Sequence, residues 1–133
     1  MNAFEVSVVT PSGTIVSDQY EMVVAQTEDG EIGILANHMP LVTPLAIGGA
    51  RLTKGDKTEW LAVSGGFLEV SGNHVTILAE AAEKADSIDE ARAEKARKRA
   101  EARIATKADD LDLDRAQISL KRAIARINAA GHR

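Results

Sequence analysis

Val75-Thr76-Ile77-Leu78-Ala79, followed by Ile88-Asp89-Glu90-Ala91-Arg92-Ala93, marks the point where this chain changes architecture. The first stretch is aliphatic and β-branched and sits just after a Ser71-Gly72-Asn73 turn signal, which reads as a strand. The second opens a region in which Gly is absent until Gly131, Pro is absent altogether, and Ala, Glu, Lys and Arg dominate. Those are the residues that lose least on entering a helix. The spacing therefore predicts a β part, residues 1–84, followed by a helical part, residues 85–133.

Upstream of the junction, short runs separated by turn signals repeat. Phe4 to Val9 alternates apolar and polar before Thr10-Pro11-Ser12-Gly13. Glu21 to Gln26 leads to Glu28-Asp29-Gly30, and Glu31 to Leu35 leads to the Ala36-Asn37-His38-Met39-Pro40 loop. Leu41 to Leu45, Ala50 to Lys54, Thr58 to Val63 and Phe67 to Val70 continue the series, with a hairpin tip at Lys54-Gly55-Asp56-Lys57. Turns every ~8–12 residues belong to a sandwich or barrel rather than to a βαβ fold. The pairs Gly48-Gly49 and Gly65-Gly66 read as bulges or tight turns.

Downstream, Asp86 or Ser87 can cap a first helix reaching about Ile104, and Asp110 or Asp112 a second that stops near Gly131. Thr106 to Asp110 forms a polar connector between them. Leu113, Ala116, Leu120, Ala123 and Ile127 make one apolar stripe, facing a thinner one of Ala93, Ala96, Ala100 and Ile104. A seam mostly of Ala buries little surface, so the pair reads as a movable element rather than a core.

Charge divides at the same junction. Residues 1–84 hold 4 basic and 11 acidic side chains, whereas residues 85–133 hold 12 basic and 9 acidic. The helical arm is thus the part that seeks an acidic partner. Arg92 and Arg99 lie seven apart and share one helix face; Arg122 and Arg126 lie four apart and share another. If the helices fold back on each other, four guanidinium groups can converge, an arrangement that suits a phosphate chain between them.

Other chemistries find little support. The absence of cysteine excludes disulfides, thiolate catalysis and thiolate-held zinc, and fits a reducing compartment. No apolar run approaches the ~20 residues of a membrane span, and Met1-Asn2-Ala3-Phe4-Glu5 lacks the marks of a secretory signal. His38, His74 and His132 show no metal spacing, so no metal is expected. Ala62 before Ser64-Gly65-Gly66 breaks the Gly-x-Ser-x-Gly elbow. With no P-loop and no placed base, no catalytic residue is expected. Tyr20 and Trp60 read as core or rim packing.

The ordered series Val8-Val9-Thr10-Pro11-Ser12-Gly13, then Gly30-Glu31-Ile32-Gly33-Ile34-Leu35 with His38 and Pro40-Leu41, then Val63-Ser64-Gly65-Gly66-Phe67-Leu68-Glu69-Val70 resembles the epsilon subunits of bacterial F-type ATP synthases. The likeness runs from about Val6 to the C-terminus, and departs from it at Ala36-Asn37, where Pro-Gly is frequent. It implies an N-terminal ten-stranded β-sandwich, residues 1–84, that binds the gamma subunit and the c ring, with Glu31 and His38 in the ring-facing loop. It implies a C-terminal antiparallel two-helix hairpin, residues 85–133, that permits ATP hydrolysis when folded. When extended along gamma, toward the catalytic alpha and beta subunits, the hairpin inhibits. The Ile-Asp-x-x-Arg-Ala motif is matched by Ile88, Asp89, Arg92 and Ala93, and implies ATP bound without hydrolysis in the folded form. Glu83, Arg99, Arg122 and Arg126 match the remaining nucleotide-contacting positions. Such a subunit sits at the cytoplasmic face of the bacterial membrane, held there through the complex.

Three other readings stand beside this one. The arginines can be a solvated surface with i,i+4 pairs such as Glu94 with Lys98. The subunit can be a mechanical coupler that never takes nucleotide. From a different class, Arg92 to Arg103 can serve a nucleic-acid adaptor, which the acidic β part and 3% aromatic content oppose.

Overall fold

The computed structural model describes residues 2–106 and 112–132. Eight strands come first: β1 (Phe4–Thr10), β2 (Gly13–Tyr20), β3 (Met22–Thr27), β4 (Gly30–Leu35), β5 (Leu41–Lys54), β6 (Lys57–Ser71), β7 (His74–Ala79) and β8 (Ala82–Lys84). A 3-10 turn, Ala85–Ser87, leads to α1 (Glu90–Thr106) and α2 (Leu113–Ala130).

The strand order is β2-β1-β7-β6-β5-β3-β4, with β8 added to β6, and β1 runs parallel to β7 while the other pairs are antiparallel. Eight strands, not ten, make up the β part among the described residues. The difference has a local cause. β5 is continuous through Gly48-Gly49, and β6 is continuous through Gly65-Gly66, where the sequence suggested separate strands. Pairing skips from Leu45↔Gly66 to Ile47↔Ser64, so the long hairpin bends there without breaking.

Beyond the bend, Leu41–Leu45 and Gly66–Ser71 join β7, β1 and β2, whereas Ala50–Thr53 joins β3 and β4, and Leu61–Val63 joins β8. The sheet thereby closes over one core. Gly66 has φ 116°, and a Cβ there would meet the Leu78 carbonyl oxygen at 2.0 Å, so only glycine fits. The expected hairpin tips are present, with Gly55 at φ 62° and Gly72 at φ 60°.

Inward alternation fills that core with bulk: Val6, Val8, Val23, Ile34, Leu52, Leu61, Leu68, Val75 and Ile77 are fully buried. The hairpin packs differently. Ala125, Ala129 and Ala130 of α2 join Ile88 and Ala62 in a second cluster against β6. α2 is thus the layer on the sheet, over β5 and β6, and α1 packs on α2. Ala93, Ala100, Ala116 and Ala123 are buried as well. Of the expected stripe, Leu113 is 46% exposed, so the α2 face that packs is rotated toward Ala125 and Ala129.

Asp112 Oδ1 accepts a hydrogen bond from the Arg115 amide at 3.0 Å and caps α2. The cap of α1 corrects the sequence reading. Asp89, rather than Asp86 or Ser87, accepts from the Arg92 amide at 3.0 Å, because Asp86 and Ser87 are taken up in the 3-10 turn. Asp110 and most of the expected polar connector lie outside the described residues.

Candidate functional site

The junction between sheet and hairpin gathers some of the expected nucleotide-contacting residues and separates others. Glu83 sits on β8 opposite Ala62 of β6, on the strand that α2 covers. From α2, Arg126 reaches back to it: Nε lies 2.8 Å from Oε1, and Nη2 donates to Oε2 at 3.3 Å. This two-point ion pair ties the hairpin to the sandwich. Its side chains are 26% and 38% exposed, so water screens it only in part.

Ile88 is 2% exposed and forms part of the apolar floor with Ala62, Ala125, Ala129 and Ala130. Asp89 is committed to capping α1, and Ala93 is buried at the helix seam. Arg92 and Arg99 do share a face, as their spacing requires. With Lys95, Lys98 and Ala102 they line a shallow hollow of about 600 Å³ on exposed α1. Arg122 instead lines a groove of about 820 Å³ between α2 and the bend of β5, which Glu28 and Glu80 also line. The four guanidinium groups therefore border three surroundings in this structure. Glu94 pairs with Arg97, which also lies 3.8 Å from Glu101, so the surface pairing falls on a neighbour of the expected Glu94–Lys98 couple.

Glu31 and His38 also differ in setting. Glu31 Oε2 accepts from Arg51 Nη1 at 3.0 Å, and Glu31 borders a hollow of about 560 Å³ beside the end of α2. His38 stands in the β4–β5 loop, its Nδ1 2.7 Å from the Met39 carbonyl oxygen, after Asn37 at φ 64°. Around that loop Leu35 at the end of β4, Met39 in the loop and Val42 at the start of β5 are 60%, 73% and 64% exposed, an apolar tip that suits contact with another protein. Among the described residues, no group of three or more His, Asp or Glu side chains is placed to hold a metal.

Three residues escaped the sequence reading. Trp60, expected as core or rim packing, has its ring stacked on His132, with centroids 3.7 Å apart and planes 10° from parallel. Arg51 stands over the same indole at 5.5 Å. The cross-strand register Arg51↔Trp60 carries the second contact. Nothing in the sequence signals the first, because residues 60 and 132 meet only when the hairpin docks.

Residues 3–85 match the family described as ATP synthase, Delta/Epsilon chain, beta-sandwich domain, and residues 86–131 match ATP synthase, Delta/Epsilon chain, long alpha-helix domain. Curated relatives named ATP synthase epsilon chain include those of Anoxybacillus flavithermus, 55% identical over 104 residues, and Priestia megaterium, 56% identical over 104 residues. In both cases 78% of this chain and 78% of the relative are covered. The Bacillus subtilis chain of that name is 52% identical, covering 78% of this chain and 79% of the relative.

Among solved structures, a chain of the Euglena gracilis mitochondrial ATP synthase superposes with TM-score 0.84 at 24% identity, covering 99% of this chain and 83% of that one. A chain of the Tetrahymena thermophila mitochondrial ATP synthase central stalk and c-ring gives 0.61 at 15%, covering 96% and 93%. At such identities these two speak for the fold alone. With both halves matched in order and with relatives above 50% identity, the chain belongs to the ATP synthase delta/epsilon family, as one of its bacterial epsilon chains.

Proposed function

We propose that this chain is a non-catalytic rotor subunit of an F-type ATP synthase, in which residues 1–84 join gamma to the c ring and residues 85–133 regulate ATP hydrolysis. The shared name of its relatives supports the stalk assignment. The observation that carries the regulatory part is the way the hairpin is held. Small alanines packed with Ile88 and Ile47, the partly exposed Glu83–Arg126 ion pair and the stack of His132 on Trp60 hold the hairpin to the sandwich, an attachment weak enough to reverse. The exposed tip around His38, with Leu35, Met39 and Val42, suits the c-ring contact, and Glu31 contributes from the adjoining strand. No described helix is long and apolar enough to cross a membrane, so the subunit would reach the cytoplasmic face of the membrane through the c ring and gamma.

In the folded hairpin, ATP is the regulatory ligand. Arg92 and Arg99 on α1, with Arg122 and Arg126 on α2, would engage the phosphates; Glu83 and Asp89 would accept from the adenine amine or ribose. Ile88 and Ala93 would border the base. Phosphate oxygens and the Glu83 carboxylate compete for Arg126, so binding would exchange one partner of that guanidinium for another. Titration calorimetry with ATP tests the site: Arg92→Ala and Arg126→Ala should each weaken binding by ~1.5–3 kcal/mol. Unchanged affinity in both variants removes it.

A second reading draws on the same geometry. Arg126 is already neutralised by Glu83, and Arg122 borders a different groove from Arg92 and Arg99, as a purely mechanical coupler would allow. Absence of any calorimetric ATP signal in the unmodified subunit selects that reading. The arm's inhibitory role is tested in the assembled enzyme. Removing the residues after Asp86 should leave assembly intact and raise ATP hydrolysis, whereas loss of assembly would make the arm structural.

A further inference from the structure

The strongest feature outside the expected nucleotide-contacting residues lies at the far end of α2. Gly131 ends the helix, its amide bonded to the Ile127 carbonyl at 3.1 Å, and the chain then bends so that His132 donates its amide to Ala129 at 3.0 Å. That bend lays the imidazole flat on Trp60 of β6. Trp60 is fixed in turn from its own sheet. Arg51, its cross-strand partner on β5, stands over the indole and is itself held at 3.0 Å by Glu31 of β4. A row Glu31–Arg51–Trp60–His132 thus crosses from β4 to the end of the hairpin. The stacked pair forms the wall between hollows of about 560 and 260 Å³.

We infer that Trp60 and His132 form a ring-stacked latch that fastens the end of α2 to the sandwich and sets how readily the hairpin lifts. The physical case rests on contrast. The residues that α2 itself buries in the cluster against the sheet are Ala125, Ala129 and Ala130, and each methyl contributes little. A stacked ring pair adds a directional contact beyond the area it covers. It closes the end of α2 farthest from the interhelix connection, whereas Glu83–Arg126 holds a point one turn or more inward. Undocking that starts from the Gly131 end of α2 must break the latch first. Cationic Arg51 beside the indole reinforces the site by attraction to the ring face and keeps Trp60 oriented.

This device deepens the reading of the hairpin as a movable arm and rests on it. Its readouts are separate from nucleotide affinity, so either idea can fail alone. The chain contains a single tryptophan, so its emission reports on Trp60 without interference.

The experiment compares the full chain with His132→Ala, His132→Phe and Trp60→Leu. It follows acrylamide quenching of Trp60 and hydrogen exchange of the last turn of α2. His132→Ala should raise the quenching constant about twofold. It should also speed exchange in that turn about threefold to tenfold. His132→Phe keeps a ring and should restore both to the unmodified values, while Trp60→Leu should match His132→Ala in exchange. Two results overturn the latch: no change in quenching or exchange in His132→Ala, or equal acceleration in His132→Ala and His132→Phe, which would show that stacking is not what holds the helix end.

Discussion

The sandwich and the hairpin are both built on buried apolar residues, yet they bury different things. The sandwich interior is dominated by Val, Leu and Ile, nine of which are fully enclosed. Such side chains contribute about 1.5–3 kcal/mol apiece when removed from water. The hairpin's buried set is Ala85, Ala93, Ala100, Ala116, Ala123, Ala125, Ala129 and Ala130, with Ile88 as its one large member among the described residues. An alanine methyl is worth about 0.8 kcal/mol. The lesson is that one chain carries a platform fixed by bulk and an arm fixed by fit, and only the arm can change partners at small cost.

The comparison breaks most visibly in the sandwich. Gly66→Ala should cost about 3 kcal/mol or more, because its Cβ cannot avoid the Leu78 carbonyl and the φ of 116° is strained for any side chain. A thermal melt followed by circular dichroism should show the whole chain unfolding earlier, not the helices alone. Ala123→Gly should sharpen the contrast. It removes a buried methyl and a good helix former, for about 1.5–2 kcal/mol. Helical signal should be lost at a lower urea concentration than the hydrogen-exchange protection of the β5 and β6 amides; simultaneous loss of both would show one cooperative unit.

A smaller effect separates the regions by pH. Burial, reinforced by the charge of Glu59, pushes the Tyr20 phenol above its ordinary value of 10.0. The folded sandwich favours the neutral phenol. Its contribution is therefore complete below pH 10.0 and is lost as pH rises beyond that value, where the unfolded chain ionises first. Urea midpoints should fall above pH 10.0, and Tyr20→Phe should flatten part of that slope.

Much of this was legible beforehand. The alternation of Phe4 to Val9, the tips at Gly55 and Gly72, and the cap at Asp112 are local signals and held in the structure. The strand count failed at Gly48-Gly49 and Gly65-Gly66, since a glycine pair that ends a strand and one that bends it look alike until the register is known. The cap of α1 failed because Asp86, Ser87 and Asp89 compete within one turn, and the 3-10 turn decides among them.

The arginine spacing correctly put Arg92 and Arg99 on one face. It could not reveal that Arg126 would turn to Glu83, 43 residues away, or that Arg122 would share a groove with Glu28 and Glu80. Long-range pairs such as Trp60 with His132 leave no periodic trace at all.

Native-state hydrogen exchange on the intact chain, across low denaturant concentrations, tests the central claim most directly. The account predicts that amides of α1 and α2 exchange through a shared opening of lower free energy, while those of β5 and β6 exchange only on global unfolding. Helix and core-strand amides converging on one opening energy under all conditions would contradict it.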